Sequence, residues 1–197
     1  MSKRFALLAA SAIAAIALVS APAAAQMAEK KMAVEKTVNV GGAPMYPSKN
    51  IIQNAVNSKD HTTLVAAVKA AGLVDTLQST GPFTVFAPTN AAFSKLPAGT
   101  VDNLLKPENK GSLTKVLTYH VVPGRMTAAS LMKAVKDGGG QAKFKTVEGD
   151  EITIKQDGMS KLWVVDTKGA TSSITIADVL QSNGVIHVVD SVLLPTM

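Results

Sequence analysis

Apolar and polar positions alternate with a period of two through the last third of the chain. Ile152 and Ile154 are interleaved with Thr153 and Lys155, the pattern of a strand with one buried and one wet face. The runs "AKFKTV", "EITIKQ", "KLWVVD" and "SSITIADV" repeat this theme and are separated by the turn signals Gly149-Asp150, Asp157-Gly158 and Lys168-Gly169, which predicts a set of short strands. In the closing run "SNGVIHVVDSVLLP", residues 182–195, Val185, Ile186, Val188 and Val189 are all β-branched. That run predicts a central strand begun by Asn183-Gly184 and finished before Pro195. His187 shares a strand face with Val185 and Val189, whereas Asp190 shares the other with Ile186 and Val188. The two do not pair within one strand.

Upstream, the period changes. "NIIQNAVN" follows Ser48, a suitable N-cap, and "HTTLVAAVKAAG" places Leu64, Val65, Val68 and Ala71 on one helical face, with Asp60 or Thr62 as cap and Gly72 at the C-terminus. "LVDTLQ" adds a turn. In "GPFTVFAPTNAAF" a strand carries Phe83 and Val85 on one side and Thr84 and Phe86 on the other, Pro88 ends the ladder, and Thr89 or Asn90 caps a short helix. Helical spacing returns in "TVDNLLKP", in "GSLTKVLTY" with Leu113, Val116 and Leu117 in one stripe, and in "TAASLMKAVKDGGG". Helices first and strands later, without regular βαβ alternation, is the α+β arrangement.

Lys3 and Arg4 precede the apolar stretch Phe5 to Val19, and Ala23 and Ala25 occupy small-residue positions before Gln26. Residues 1–25 therefore read as a secretory signal cut near Gln26, which predicts a periplasmic or secreted protein with no membrane span in the mature chain. Residues 26–49, ending in "VGGAPMYPS", show no lasting period and read as a flexible N-terminal arm. The domain itself is expected over 50–197. The chain contains no cysteine, so stability rests on the core without disulfides.

The formal net charge of +6 falls to +4 once Lys3 and Arg4 leave with the signal, too little for strong steering. With one Trp, two Tyr and five Phe, mostly in strand-like settings, the chain offers no run of stacking aromatics, and nucleic-acid binding is excluded. Nucleophilic catalysis would need an activated side chain beside a base, and neither a cysteine nor a Gly-x-Ser-x-Gly elbow is present. The "DGGGQ" loop, residues 137–141, follows a helix and reads as its stop, not as a phosphate cradle. His61, His120 and His187 lack metal-ligand spacing, so neither cofactor nor metal is predicted. His187 reads as a buried histidine with a hydrogen-bond partner, and Asp190 as a turn ligand. Trp163, without companion aromatics nearby in sequence, reads as core or half-buried ahead of a sugar-stacking platform.

Three motifs carry a family likeness. "TVFAPTNAAF" (84–93), "TYHVVPG" (118–124) and "NGVIHVVDSVLLP" (183–195) resemble, in order, the signatures of fasciclin-type (FAS1) domains. The resemblance implies a wedge-shaped α+β domain, twisted β-sheets flanked by several helices, and a non-enzymatic extracytoplasmic role in adhesion. It also implies partner-binding segments at Tyr119 and His120 and at Asp178, Val179 and Leu180, the latter standing where animal members carry an Asp-Ile integrin-type segment. Ala177 and Gln181 depart from that segment's charge pattern, so partner identity does not transfer, and a turn or cap role competes at Asp178. The expected partner is a protein or surface polysaccharide of the envelope or matrix. The competing reading is a small hydrolase or small-molecule enzyme using His120 or His187. A free single domain with one site cannot bridge two surfaces, so it would bind one component, self-associate or use its basic arm.

Overall fold

The computed structural model describes residues 37–157 and 161–196. The expected signal segment 1–25, the cleavage point at Gln26, arm residues 26–36 and Gly158 of one turn signal lie outside them.

The first described element corrects the arm boundary. Residues placed in the arm form a hairpin of β1 (Val38–Val40) and β2 (Ala43–Met45), and Val40 and Met45 enter the core. Gly41 and Gly42 both have positive φ, which a two-residue hairpin turn needs and which glycine adopts without a Cβ penalty. Ordered structure thus begins before Ser48.

Helix α1 (Ile51–Ala55) is capped by Asn50 and not by Ser48; the Asn50 side chain and Gln53 form a reciprocal capping box. Helix α2 (Thr62–Ala71) buries Leu64, Ala67, Val68 and Ala71 and ends at Gly72, as its spacing predicts, though neither Asp60 nor Thr62 is its cap residue. Short helices α3 (Val74–Gln78), α4 (Asn90–Ser94, capped by Thr89) and α5 (Thr100–Leu105) follow in order around strand β3 (Phe83–Pro88). Helix α6 (Lys110–Tyr119) leads into β4 (Val121–Pro123), and α7 (Ala128–Asp137) stops at Gly138, so the "DGGGQ" loop is a helix stop.

Strands β5 (Gln141–Lys145), β6 (Glu151–Gln156), β7 (Leu162–Val165), β8 (Thr171–Gln181) and β9 (Gly184–Val189) complete a seven-stranded sheet in the order β4-β3-β9-β8-β7-β6-β5. Among the described strands of this sheet only β3 and β9 run parallel; the other pairings are antiparallel. Strand β9 is central, as its continuous β-branched run predicts.

Alternation on β3 and β9 divides the interior in two. Val85, Ala87, Ile186 and Val188 face one apolar cluster with Val40, Ile52, Val68 and Leu117, supplied by the hairpin, α1, α2 and α6. Phe86 and Val189 face the other, with Tyr119, Leu131, Ile152, Ile154 and Val164, beneath α7 and the inner side of β6 and β7. The central strands are therefore apolar on both faces, whereas among the described residues β5 to β7 are covered on one face alone. That difference decides which side chains can meet a partner.

Candidate functional site

The expected partner segments converge on the interior. Tyr119, the last residue of α6, has no solvent exposure. Its hydroxyl donates to the Glu151 carbonyl at 3.0 Å and accepts from the Thr167 N–H at 3.1 Å. Burial raises its pKa, against the hydrogen bonding from Thr167, which lowers it. His120 is also buried; its Nδ1 lies 2.7 Å from the Val116 carbonyl and its Nε2 accepts from the Leu193 N–H at 3.0 Å. These partners fix a neutral ring with the proton on Nδ1. Burial accordingly drives its pKa down to about 4. Both residues of the Tyr-His motif hold the fold together from within and do not present themselves to a partner.

The second segment is bent. Register shifts between Ile174 and Ile176 and between Ile176 and Val179 make β8 irregular against β9, and Asp178 sits in this bulge at φ 57, a left-handed conformation that Asp tolerates better than most residues. The bend aims the carboxylate at helix α7, where Oδ1 accepts from the Ala128 N–H at 2.6 Å. Thr127 caps the same helix by accepting from the Ser130 N–H. Asp178 thus has the cap role that competed with partner binding, and it is half-buried. Val179 is buried, and among the predicted contact residues Leu180 is the exposed one, at 40%.

His187 lies against this bulge. Its Nδ1 accepts from the Asp178 N–H at 3.4 Å and its Nε2 donates to the Met126 carbonyl at 2.8 Å, while its ring stacks on Phe86 with centroids 5.7 Å apart. Burial lowers its pKa, opposed by the Met126 carbonyl and the Asp178 charge. A hydrolase would want a histidine beside a carboxylate, and His187 and Asp178 are indeed neighbours. They meet, however, through the Asp178 backbone, and the carboxylate is spent on α7. Asp190 serves the turn expected of it, accepting from the Ser173 N–H at 2.8 Å and standing 3.4 Å from the Lys95 ammonium.

Two tie points escape sequence reasoning. Asn183 is more than a turn residue: it accepts from the Ile51 N–H and donates to the Leu77 and Ser79 carbonyls, joining α1, α3 and β9. Asp166 accepts from Lys168, Ala170 and Leu194 backbone N–H groups. An Asn or Asp beside a glycine turn is the sequence signal in each case, but their distant partners leave no local trace.

His61 is the one described histidine with an unpaired nitrogen. Its Nδ1 contacts Ser58 Oγ at 2.8 Å, while Nε2 makes no hydrogen bond. Burial lowers its pKa, and the Ala87 carbonyl and Asp60 oppose that shift, the carbonyl acting on the ring short of full hydrogen-bond geometry. The ring borders an apolar cavity of about 40 Å³ shared with Val40, Ile52, Leu64, Val85 and Ile186. Among the described residues no group of three or more His, Cys, Asp or Glu is placed to hold a metal ion.

Comparison with known proteins agrees with this architecture. The Fasciclin domain model matches residues 59–195. Protein sll1483 of Synechocystis sp. is 46% identical over 164 residues, covering 83% of either chain. Immunogenic protein MPB70 of Mycobacterium bovis is 38% identical over 146 residues, covering 72% of this chain and 66% of that one. A solved FAS1 domain pair from the insect cell adhesion molecule Fasciclin I superimposes with a TM-score of 0.66 at 18% identity, over 82% of this chain and 58% of the other. The likeness at that identity concerns the fold, and the three motifs that suggested it occupy the buried strands, helix ends and turns just described. The chain belongs to the fasciclin-domain family.

Proposed function

We propose that this protein is a non-enzymatic adhesion module that works outside the cytoplasm and binds one component of the envelope or matrix, a protein or a surface polysaccharide. One observation carries the choice over an enzyme: both ring nitrogens of His120 and of His187 are engaged with backbone groups, so neither ring is free to exchange a proton with a substrate. Membership of the fasciclin-domain family, which the motifs tie to adhesion, supports the same reading. Among the described residues no helix is long and apolar enough to cross a membrane, and the export signal expected over 1–25 supplies the route outward.

Labelled full chain is added to envelope preparations of the source organism. Saturable retention, competed by unlabelled protein, is the expected result. Retention that never saturates, together with turnover of a test ester that disappears in a folded His187→Ala protein, would overturn the proposal in favour of the hydrolase.

A further inference from the structure

The solvent side of β5 to β7 contains none of the three family motifs. Register places its residues in rows across the strands. Gln141, Lys155, Trp163 and Ser173 form one row, and Lys143, Thr153, Val165 and Thr171 the next. Cross-strand partners share a face, and Ile152, Ile154, Leu162 and Val164 occupy the opposite, buried one. Trp163, the only tryptophan of the chain, is therefore half-buried on the outer face beside Lys155. Lys145 lies further along the exposed strand β5. Lys143 stands 3.6 Å from Glu151, but Lys145 and Lys155 make no ion pair with any described residue.

We propose that this face, built on Trp163 with Lys143, Lys145 and Lys155, binds a linear acidic polysaccharide. The proposal rests on the adhesion reading and specifies its surface and partner class. A half-buried indole on the outer face of the sheet offers a platform to the C–H face of a sugar ring. Lys155 stands beside it, and Lys143 and Lys145 lie two strands away on β5, where Glu151 is the cross-strand neighbour of Lys145. These lysines complement carboxylates along a chain, and Gln141, Thr153 and Ser173 supply hydrogen-bonding groups for hydroxyls. Strands about 4.8 Å apart give a repeat comparable to one sugar ring. A single aromatic does not stack successive bases of a nucleic acid. Nor does the face raise a protruding apolar side chain to enter a lipid surface.

The sole tryptophan is its own reporter. The full chain is titrated with hexameric alginate at low salt, following indole emission, with a neutral glucan hexamer, a DNA hexamer and anionic phosphatidylserine vesicles alongside. The expected result is a saturable emission change with alginate alone, weakening as salt rises. The double variant Lys145→Glu, Lys155→Glu should lose at least tenfold in affinity while keeping its far-ultraviolet circular dichroism. No response to alginate, an undiminished response in the folded double variant, or equal binding of DNA or vesicles would each overturn the proposal. Envelope retention separates the two levels: if the double variant is retained like the parent, this face is wrong and adhesion stands, whereas a parent that is not retained defeats the adhesion reading itself.

Discussion

Strand β9 and the β5–β7 end of the same sheet differ in what covers them. All six residues of β9 are buried, between two neighbouring strands and two apolar clusters, and the polar groups there are tied to backbone. Strands β5 to β7 alternate, with one face buried, that of β5 and β6 against α7, and the other more exposed. The motifs that reveal the family sit at the covered end, so they report how the domain is built. On the reading proposed above, recognition by contact would fall to surfaces that those motifs leave alone.

If that division holds, polar substitutions at the covered end should cost stability heavily. Asn183→Ala should have the largest effect, because it leaves the Ile51 N–H and the Leu77 and Ser79 carbonyls without their partner. Unpaired buried groups of this kind add to a loss of roughly 3–5 kcal/mol. Urea denaturation monitored by circular dichroism measures it. A loss under about 1 kcal/mol would show that the three elements are held together by other contacts.

Acid tests the same end without mutation. His120, His61 and His187 all have pKa values lowered chiefly by burial, so below the ordinary histidine value the unfolded chain takes up protons that the folded one refuses. Stability from His120 is fully present above pH 6.5 and is lost as pH falls toward its folded value of about 4, a change on the order of 3 kcal/mol. Asp190 acts in a lower window. Burial pushes its carboxyl up, but the Ser173 N–H and Lys95 outweigh that and lower it, so its contribution persists until pH falls below 3.8. Urea midpoints at pH 7.5 and 4.5 should therefore differ clearly. Equal midpoints would mean that the buried rings accept protons within the fold.

How much of this was legible follows from where each partner lies. The central position of β9 was legible because both its faces are apolar within six residues, and α2 because its stripe and terminal glycine are local. The hairpin at Val38–Met45 was not: its strands are three residues each, and their burial is decided by a core assembled from distant segments. Tyr119 and His120 show the same limit at the site. An amphipathic tyrosine at a helix end suits an interface as well as it suits a core, and its bonding partners Glu151 and Thr167 lie 32 and 48 residues away. The family model matches residues 59–195, yet the contact roles implied for these two residues do not fit their burial.

Asp178 lies between the two regimes. The sequence leaves it between a partner contact and a turn or cap role, and the structure has it cap α7 in a left-handed backbone position. Asp178→Ala should cost about 1–2 kcal/mol, through the lost cap and alanine's poorer tolerance of positive φ, since it lacks the polar side chain that can hydrogen-bond locally there. Asp178→Asn, which keeps an acceptor and tolerates that backbone, should recover at least half. Thermal unfolding of the pair separates the two roles. Equal melting of parent and Asp178→Ala would return the residue to the surface.

Leu180 gives the smallest expected change in stability and the sharpest test of the comparison. It is the exposed residue of the segment expected to bind a partner, next to buried Val179 and Gln181, and truncating an exposed apolar side chain usually stays within about 0.5 kcal/mol. Leu180→Ser should therefore melt with the parent. Its envelope retention, set beside that of the Lys145→Glu, Lys155→Glu protein, asks which surface makes contact. Retention kept in Leu180→Ser and lost in the lysine variant would assign recognition to the outer face of β5 to β7. The opposite pattern would assign it to the end of β8, the segment to which the family resemblance pointed, with Leu180 making the contact.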